Sequence, residues 1–248
     1  MKTQYSASCG DSAVGNTCGA RAESFDIVVY GGTSAGVIAA VQAARMGRSV
    51  VVIEPGRHLG GLTSGGLGMT DSGNKAVIGG LAREFYQRIK KHYDDDTSWR
   101  QQTKADYGFY DSTADALFRF EPSVAEKVFN EMAQEAGVQI VLGERLERAQ
   151  GVVKRGDRLV SITLESGRTI EAPMFIDASY EGDLLASAGV AYHVGRESTA
   201  QYGETLNGVQ TEHAIKHQFV KRVDPYVKPG EPASGLLPGI RREGPGRE

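Results

Sequence analysis

Glycines at fixed spacing after a run of β-branched residues are the first groups in this chain that could do chemistry. Residues 27–37 read "IVVYGGTSAGV". Gly31 and Gly36 stand where a strand-to-helix turn would hold a phosphate, with Gly32, Thr33, Ser34 and Ala35 between them. Gly31 can make the tight turn, and Gly36 lets the helix pack close to the strand. The helix N-terminus offers free N–H groups and a partial positive charge. The middle position usually carries a second glycine, so that phosphate can approach the backbone. Here it holds Thr33. The expectation is that its side chain turns aside, with the hydroxyl of Thr33 or Ser34 donating to phosphate. Glu54 follows 23 residues after Gly31, at the end of a second apolar run. A carboxylate there accepts hydrogen bonds from ribose hydroxyls and repels a 2′-phosphate, which favours FAD or NAD over NADP.

A second glycine segment follows directly. Residues 54–68 read "EPGRHLGGLTSGGLG", and nine glycines fall within residues 56–80. So many glycines fit neither helix nor strand. They allow main-chain amides near phosphate, and Arg57 can neutralise its charge. The candidate acids and bases are His58, beside this loop, and His193, after the last strand-like run. His92, His213 and His217 lie on polar, helix-like stretches and read as solvated. The "DDD" at 94–96 reads as a solvated loop. Trp99 and Tyr107–Tyr110 could line a substrate pocket or simply pack. Cys9 and Cys18 are either incidental thiols or a local disulfide; without a nearby histidine they cannot complete a metal site. No Ser-His-Asp order and no metal-ligand spacing emerges, so no metal is expected.

The elements that must position these groups are legible from pattern. "FDIVVY" (25–30) and "SVVVIE" (49–54) read as strands buried on both faces, with a helix over 36–46 ended by Gly47. Leu81, Phe85 and Ile89 are spaced four apart, which predicts a helix over 81–93. Residues 94–117 read as a polar excursion. Ser123 and Glu126 suggest a capping box for a helix that Gly137 stops. A strand at 138–142 precedes strand-like runs at 147–153, 159–165 and 168–172, with turns at "RGD" and "SG". A buried strand at 174–179 and a helix at 181–189 close the pattern.

Composition narrows the classes. The 248 residues are 40% hydrophobic and 24% charged, with net charge −3. A pI near 6.0 argues against nucleic acid or an anionic membrane as partner. No apolar run spans a bilayer. Residues 1–24 lack the apolar core of a secretory signal and read as a disordered leader, so the cytoplasm is the default location.

The run from "YGGTSAGV" to "VVVIEPGRHLGGLTSGGLG" resembles the FAD-dependent oxidoreductase family, within the glutathione-reductase-like superfamily that includes fumarate reductase flavoproteins. The resemblance implies an α/β fold: a Rossmann-like FAD-binding domain of parallel sheet, helices and antiparallel β-meander, plus part of a substrate domain. It implies FAD as cofactor and a small-molecule substrate. It assigns Arg57, Gly60, Gly61, Leu62 and Thr63 to the wrap around the diphosphate, and the Leu146 backbone to the adenine. "FIDASYEGDLLASAGV" (175–190) resembles the family's D-A-T-G-D-G-D segment beneath the cofactor, matching at Asp177, Ala178, Gly182 and Asp183. Ser179 stands for its threonine and Tyr180 for its glycine. The implied domains are 25–190 for FAD and 191–248 for the start of an incomplete substrate domain, because members are longer and the end looks truncated. Two other readings stay open: dinucleotide binding without turnover, and an NAD-dependent dehydrogenase.

Overall fold

A computed structural model describes residues 22–208 and 223–240. Cys9, Cys18, His213 and His217 lie outside the described residues, as does nearly all of the segment read as a leader. The chain divides into two compact units that part between Val190 and Ala191.

The first unit is built on a parallel sheet of four strands. β2 (Ile27–Tyr30), β3 (Val50–Glu54), β4 (Gln139–Leu142) and β8 (Met174–Asp177) lie in the order β4-β3-β2-β8. In register, Ile27 faces Val50 on one side and Met174 on the other. Alternation sorts the side chains. Val29, Val50 and Val52 face a layer of helices; Val28, Tyr30, Val51 and Ile53 face the opposite layer. Both faces are covered, so β3 is buried along nearly its whole length, as a central parallel strand requires.

Three helices form the first layer: α1 (Ser34–Arg45), α2 (Gly80–Asp94) and α3 (Pro122–Ala136). Phe85 of α2 stacks on Phe129 of α3 at 4.4 Å between ring centres. Gly137 adopts φ 74° and ends α3, as expected. The start of α3 differs from expectation. Pro122 occupies the first turn and Glu121 is the cap residue, with no side-chain capping bond, so Ser123 and Glu126 form no capping box. Proline suits that first position because its fixed φ is already helical and its missing N–H would have had no partner in the helix.

The second layer is a meander. β5 (Val152–Arg155), β6 (Arg158–Thr163) and β7 (Thr169–Glu171) are antiparallel neighbours. β1 (Glu23–Ser24) adds parallel to β7. This strand falls inside the segment read as leader and corrects its boundary. Main-chain pairing to Ile170 and Glu171 and the Glu23–Arg168 ion pair at 2.5 Å hold it. α4 (Asp183–Ser187) follows β8.

The 94–117 excursion is packed rather than loose. The Trp99 ring meets Tyr93, Tyr107 and Tyr110, and its indole N–H donates to the Tyr93 carbonyl at 2.9 Å. Asp94 accepts from Lys90 and Tyr110, Asp95 caps a short 3-10 turn, and Asp96 pairs with Lys104.

In the second unit, α5 (Thr199–Tyr202) ends at Gly203 in the left-handed region. Tyr226 bridges Leu236 in a short antiparallel contact. Among the described residues no helix is long and apolar enough to cross a membrane.

Candidate dinucleotide site

Because β2, β3 and β8 are parallel, their C-terminal ends lie along one edge of the sheet, the edge where open α/β sheets bind ligands. The loops leaving those ends meet there. The Gly31 amide donates to the Ile53 carbonyl at 2.8 Å, and the Ala178 amide to the Tyr30 carbonyl at 2.8 Å. The Gly60 amide donates to the Gly32 carbonyl at 2.7 Å, which ties the second glycine segment to the first.

The glycines are required chiefly by these protein contacts. Gly31 has φ 101°, and a Cβ on it would lie 2.6 Å from the Ser179 nitrogen. Gly60 also has φ 101°, and a Cβ there would strike the Phe129 ring at 2.6 Å. At Gly36 a methyl group would overlap the Gly31 carbonyl oxygen, and at Gly61 the Tyr180 hydroxyl. Gly31 and Gly36 thus let main chain pack on main chain, while Gly60 and Gly61 leave room for the Phe129 ring and the Tyr180 hydroxyl.

Glu54 points into this crevice. One carboxylate oxygen accepts from the Gly32 amide and the other from the Gly56 amide, each at 2.6 Å. Two bonds to main-chain donors fix its direction, and each oxygen keeps acceptor capacity. The Gly143 amide donates to the Gly56 carbonyl at 2.7 Å, so the segment after β4 runs beside Glu54.

Thr33 caps α1. Its hydroxyl accepts from the Gly36 amide at 3.2 Å and donates to the Ala178 carbonyl at 2.8 Å. The side chain does turn aside, but its one proton is committed to Ala178. This corrects the expectation that Thr33 donates to phosphate. The Ser34 hydroxyl and the amides of Thr33 and Ala35 make no hydrogen bond among the described residues. These are the unengaged donors of the helix N-terminus. Arg57 is exposed and forms no ion pair among the described residues.

The third loop is anchored by Asp177. Its carboxylate accepts from the Ser179 amide and hydroxyl on one oxygen and from the Leu185 amide on the other. The Ser179 hydroxyl in turn accepts from the Gly182 and Asp183 amides. Tyr180 reaches back across the crevice, and its hydroxyl accepts from the Leu62 amide at 2.7 Å. Thr63 ends the 3-10 turn Gly61–Thr63, with its amide on the Gly60 carbonyl.

Four further residues singled out in the sequence are placed as follows. The Leu146 amide donates to the Tyr30 hydroxyl at 3.2 Å, and the Leu146 side chain is buried on the meander side. Burial raises the Tyr30 pKa, which keeps this hydroxyl protonated. His58 turns to Glu126 at 2.9 Å with a largely exposed side chain. His193 is exposed in the second unit. His92 is half-buried rather than solvated, and burial lowers its pKa.

Sequence reasoning missed the Gly56 amide that holds Glu54, the Phe129 ring beneath Gly60, and the Tyr180 strut. For Tyr180 a signal existed: a large aromatic where the pattern has glycine.

The free amides at α1, a hydroxyl beside them and a carboxylate set for ribose form a donor and acceptor set that fits an adenine dinucleotide with a diphosphate. The sequence matches the family described as "FAD dependent oxidoreductase" over residues 26–236. The chain belongs to that family. FAD is the cofactor this membership assigns to it, which sets the NAD-dependent reading aside. No curated protein matches the sequence. Among solved structures, L-proline dehydrogenase from P. horikoshii is 17% identical at TM-score 0.47, covering 71% of this chain and 59% of its own. L-amino acid deaminase from Proteus vulgaris is 18% identical at TM-score 0.47, covering 75% and 54%. Thioredoxin reductase from T. acidophilum is 21% identical at TM-score 0.38, covering 62% and 35%. The FAD dependent oxidoreductase chain described here therefore spans only part of the length of the solved structures it matches.

Proposed function

We propose that this chain holds FAD in the crevice at the sheet edge and serves a flavoenzyme that moves a hydride between a small organic substrate and the flavin. The single observation that carries the reading is the convergence of the 31–36, 54–62 and 177–180 segments around a carboxylate fixed by two main-chain amides.

Bound there, FAD supplies the two-electron acceptor or donor, and the protein supplies binding and orientation. Glu54 receives the hydroxyls of the adenosine ribose. The free amides of Thr33 and Ala35 and the Ser34 hydroxyl face the diphosphate, where each charge-assisted bond contributes about 1.5–3 kcal/mol. Arg57 adds charge without first breaking an ion pair. Gly60–Thr63 and Ala178–Ser179 form the adjoining walls. Leu146 contributes only its carbonyl toward the adenine, since its amide is engaged by Tyr30.

A second reading, FAD binding without turnover by this span, draws on His58 being bonded to a surface glutamate. Anaerobic incubation of the flavin-loaded protein with a panel of amino acids, hydroxy acids and polyols separates the two. Bleaching of the flavin band by one class supports hydride transfer. A flavin that remains oxidised with every substrate, yet is reduced by dithionite, leaves the binding-only reading standing.

A further inference from the structure

We infer that Tyr180 positions the ring end of the dinucleotide, its hydroxyl pinning the Leu62 amide while its ring walls the crevice at the end opposite Glu54. This rests on the reading of the crevice as an FAD site.

Contacts set an order along the crevice. The Glu54 carboxylate touches Gly32. Thr33 follows in the chain, and a Cβ at Gly61 would lie 3.3 Å from the Thr33 Cα. Gly61 in turn lies against the Tyr180 hydroxyl. Successive contacts thus link Glu54, Gly32, Thr33, Gly61 and Tyr180. A dinucleotide with its adenosine ribose on Glu54 and its diphosphate over the start of α1 continues toward Tyr180 with its second half. ADP ends before that point.

Tyr180 is built to be a fixed wall. The Asp177 carboxylate and the Ser179 hydroxyl take five bonds from the surrounding turn and the start of α4. The phenol oxygen is held by the Leu62 amide at 2.7 Å. Yet the residue is 59% exposed. A large aromatic anchored at both ends and left bare presents its face to whatever enters. Gly61 has φ 55° and cannot carry a side chain without displacing that hydroxyl. The glycine requirement at 61 thus follows from its left-handed backbone and from Tyr180 together.

The test compares FAD and ADP binding to the wild type, Tyr180→Phe and Tyr180→Ala, with thermal melts as a control. Loss of an aromatic contact predicts about tenfold weaker FAD binding for Tyr180→Ala, with ADP affinity unchanged within about twofold. Bound flavin should also become more fluorescent in Tyr180→Ala, because a phenol against the isoalloxazine quenches its emission. Tyr180→Phe keeps the ring and loses the Leu62 bond, so its FAD affinity should fall only about threefold. Equal losses for FAD and ADP, or no loss for either, would overturn the inference. Wild type that binds ADP but shows no preference for FAD overturns it as well. Wild type that binds neither defeats the FAD reading itself, an outcome visible before any variant is made.

Discussion

The crevice at the sheet edge and the groove among α2, α3 and residues 95–107 use opposite materials. The groove has a volume of about 1410 Å³ and is lined by long charged and aromatic side chains. Its four carboxylates are already bonded: Asp95 to Thr97, Glu121 to the Tyr93 hydroxyl, Glu131 to Lys127 and Glu135 to Arg88. Arg88 also reaches Glu84, which Arg45 holds as well, so a chain of ion pairs links α1, α2 and α3. In the crevice the glycines at 31, 32, 36, 60 and 61 bring main chain to the surface, with Glu54 and Tyr180 among the few side chains. Main-chain amides, the Ser34 hydroxyl and the Arg57 guanidinium are without partners there among the described residues. The lesson is that size does not mark a binding site. The groove has side chains unpaired among the described residues too, Lys91 and Arg100 among them, but they are long and must be ordered to bind, whereas the crevice offers main-chain amides already held in place at a helix start.

The largest effect that could break this comparison is at Gly36. Its replacement by Ala forces a methyl into the Gly31 carbonyl, with no flexible side chain to yield. Overpacking of about 1–3 kcal/mol predicts a melting temperature lower by about 2–12 °C and little FAD retained after purification. Lys127→Ala, in the groove, should keep its flavin content; a loss there would put the ligand in the wrong cavity.

Glu54→Gln comes next. One of the Gly32 and Gly56 amides would then face an amide N–H₂, and a donor left unsatisfied costs about 1–3 kcal/mol. FAD binding should weaken roughly tenfold or more, read by equilibrium titration. An unchanged dissociation constant would remove Glu54 from the site.

Smaller still, the neighbouring hydroxyls should separate. Thr33→Val loses the helix cap and the bond to Ala178, about 1 kcal/mol of stability, with only a secondary effect on FAD. Ser34→Ala should leave the melting temperature alone and weaken FAD a few-fold. The reverse pattern would return the phosphate bond to Thr33.

The smallest effect tests the ion-pair side of the comparison. Arg45, with Arg88, holds the Glu84 carboxyl down to about 2 from the usual 4.5. A depressed folded-state pKa gives stability that is full above about pH 4.5 and is lost as pH falls toward 2. Glu84→Gln should therefore melt a few degrees below wild type at pH 7, and the gap should narrow below pH 4.5. A gap that stays constant with pH would mean the pair contributes through packing alone.

How much of this was legible in the sequence depended on how local the cause was. The strand-helix-strand of β2, α1 and β3 and the Gly137 stop follow from periodicity and glycine placement within a few residues. The Glu54 position followed from spacing. Between the Thr33 and Ser34 hydroxyls the sequence could not choose, because the Thr33 acceptor, Ala178, lies 145 positions away. β1 was missed for the same reason: two polar residues become a strand only because β7 and Arg168 are beside them. The capping box at Ser123 failed because Pro122 takes the first helical position, which puts Ser123 inside the helix rather than at its cap. Tyr180 looked like a departure from pattern until Leu62 and Gly61 were seen next to it.

The measurement that bears most directly on the crevice is a parallel FAD titration of wild type and Gly36→Ala, with the flavin released on denaturation identified by mass. Wild type should saturate with a single FAD per chain and release intact FAD, while the variant should fail to saturate. Equal binding by the two proteins, or a wild type that takes up no flavin, would contradict a diphosphate held at the start of α1.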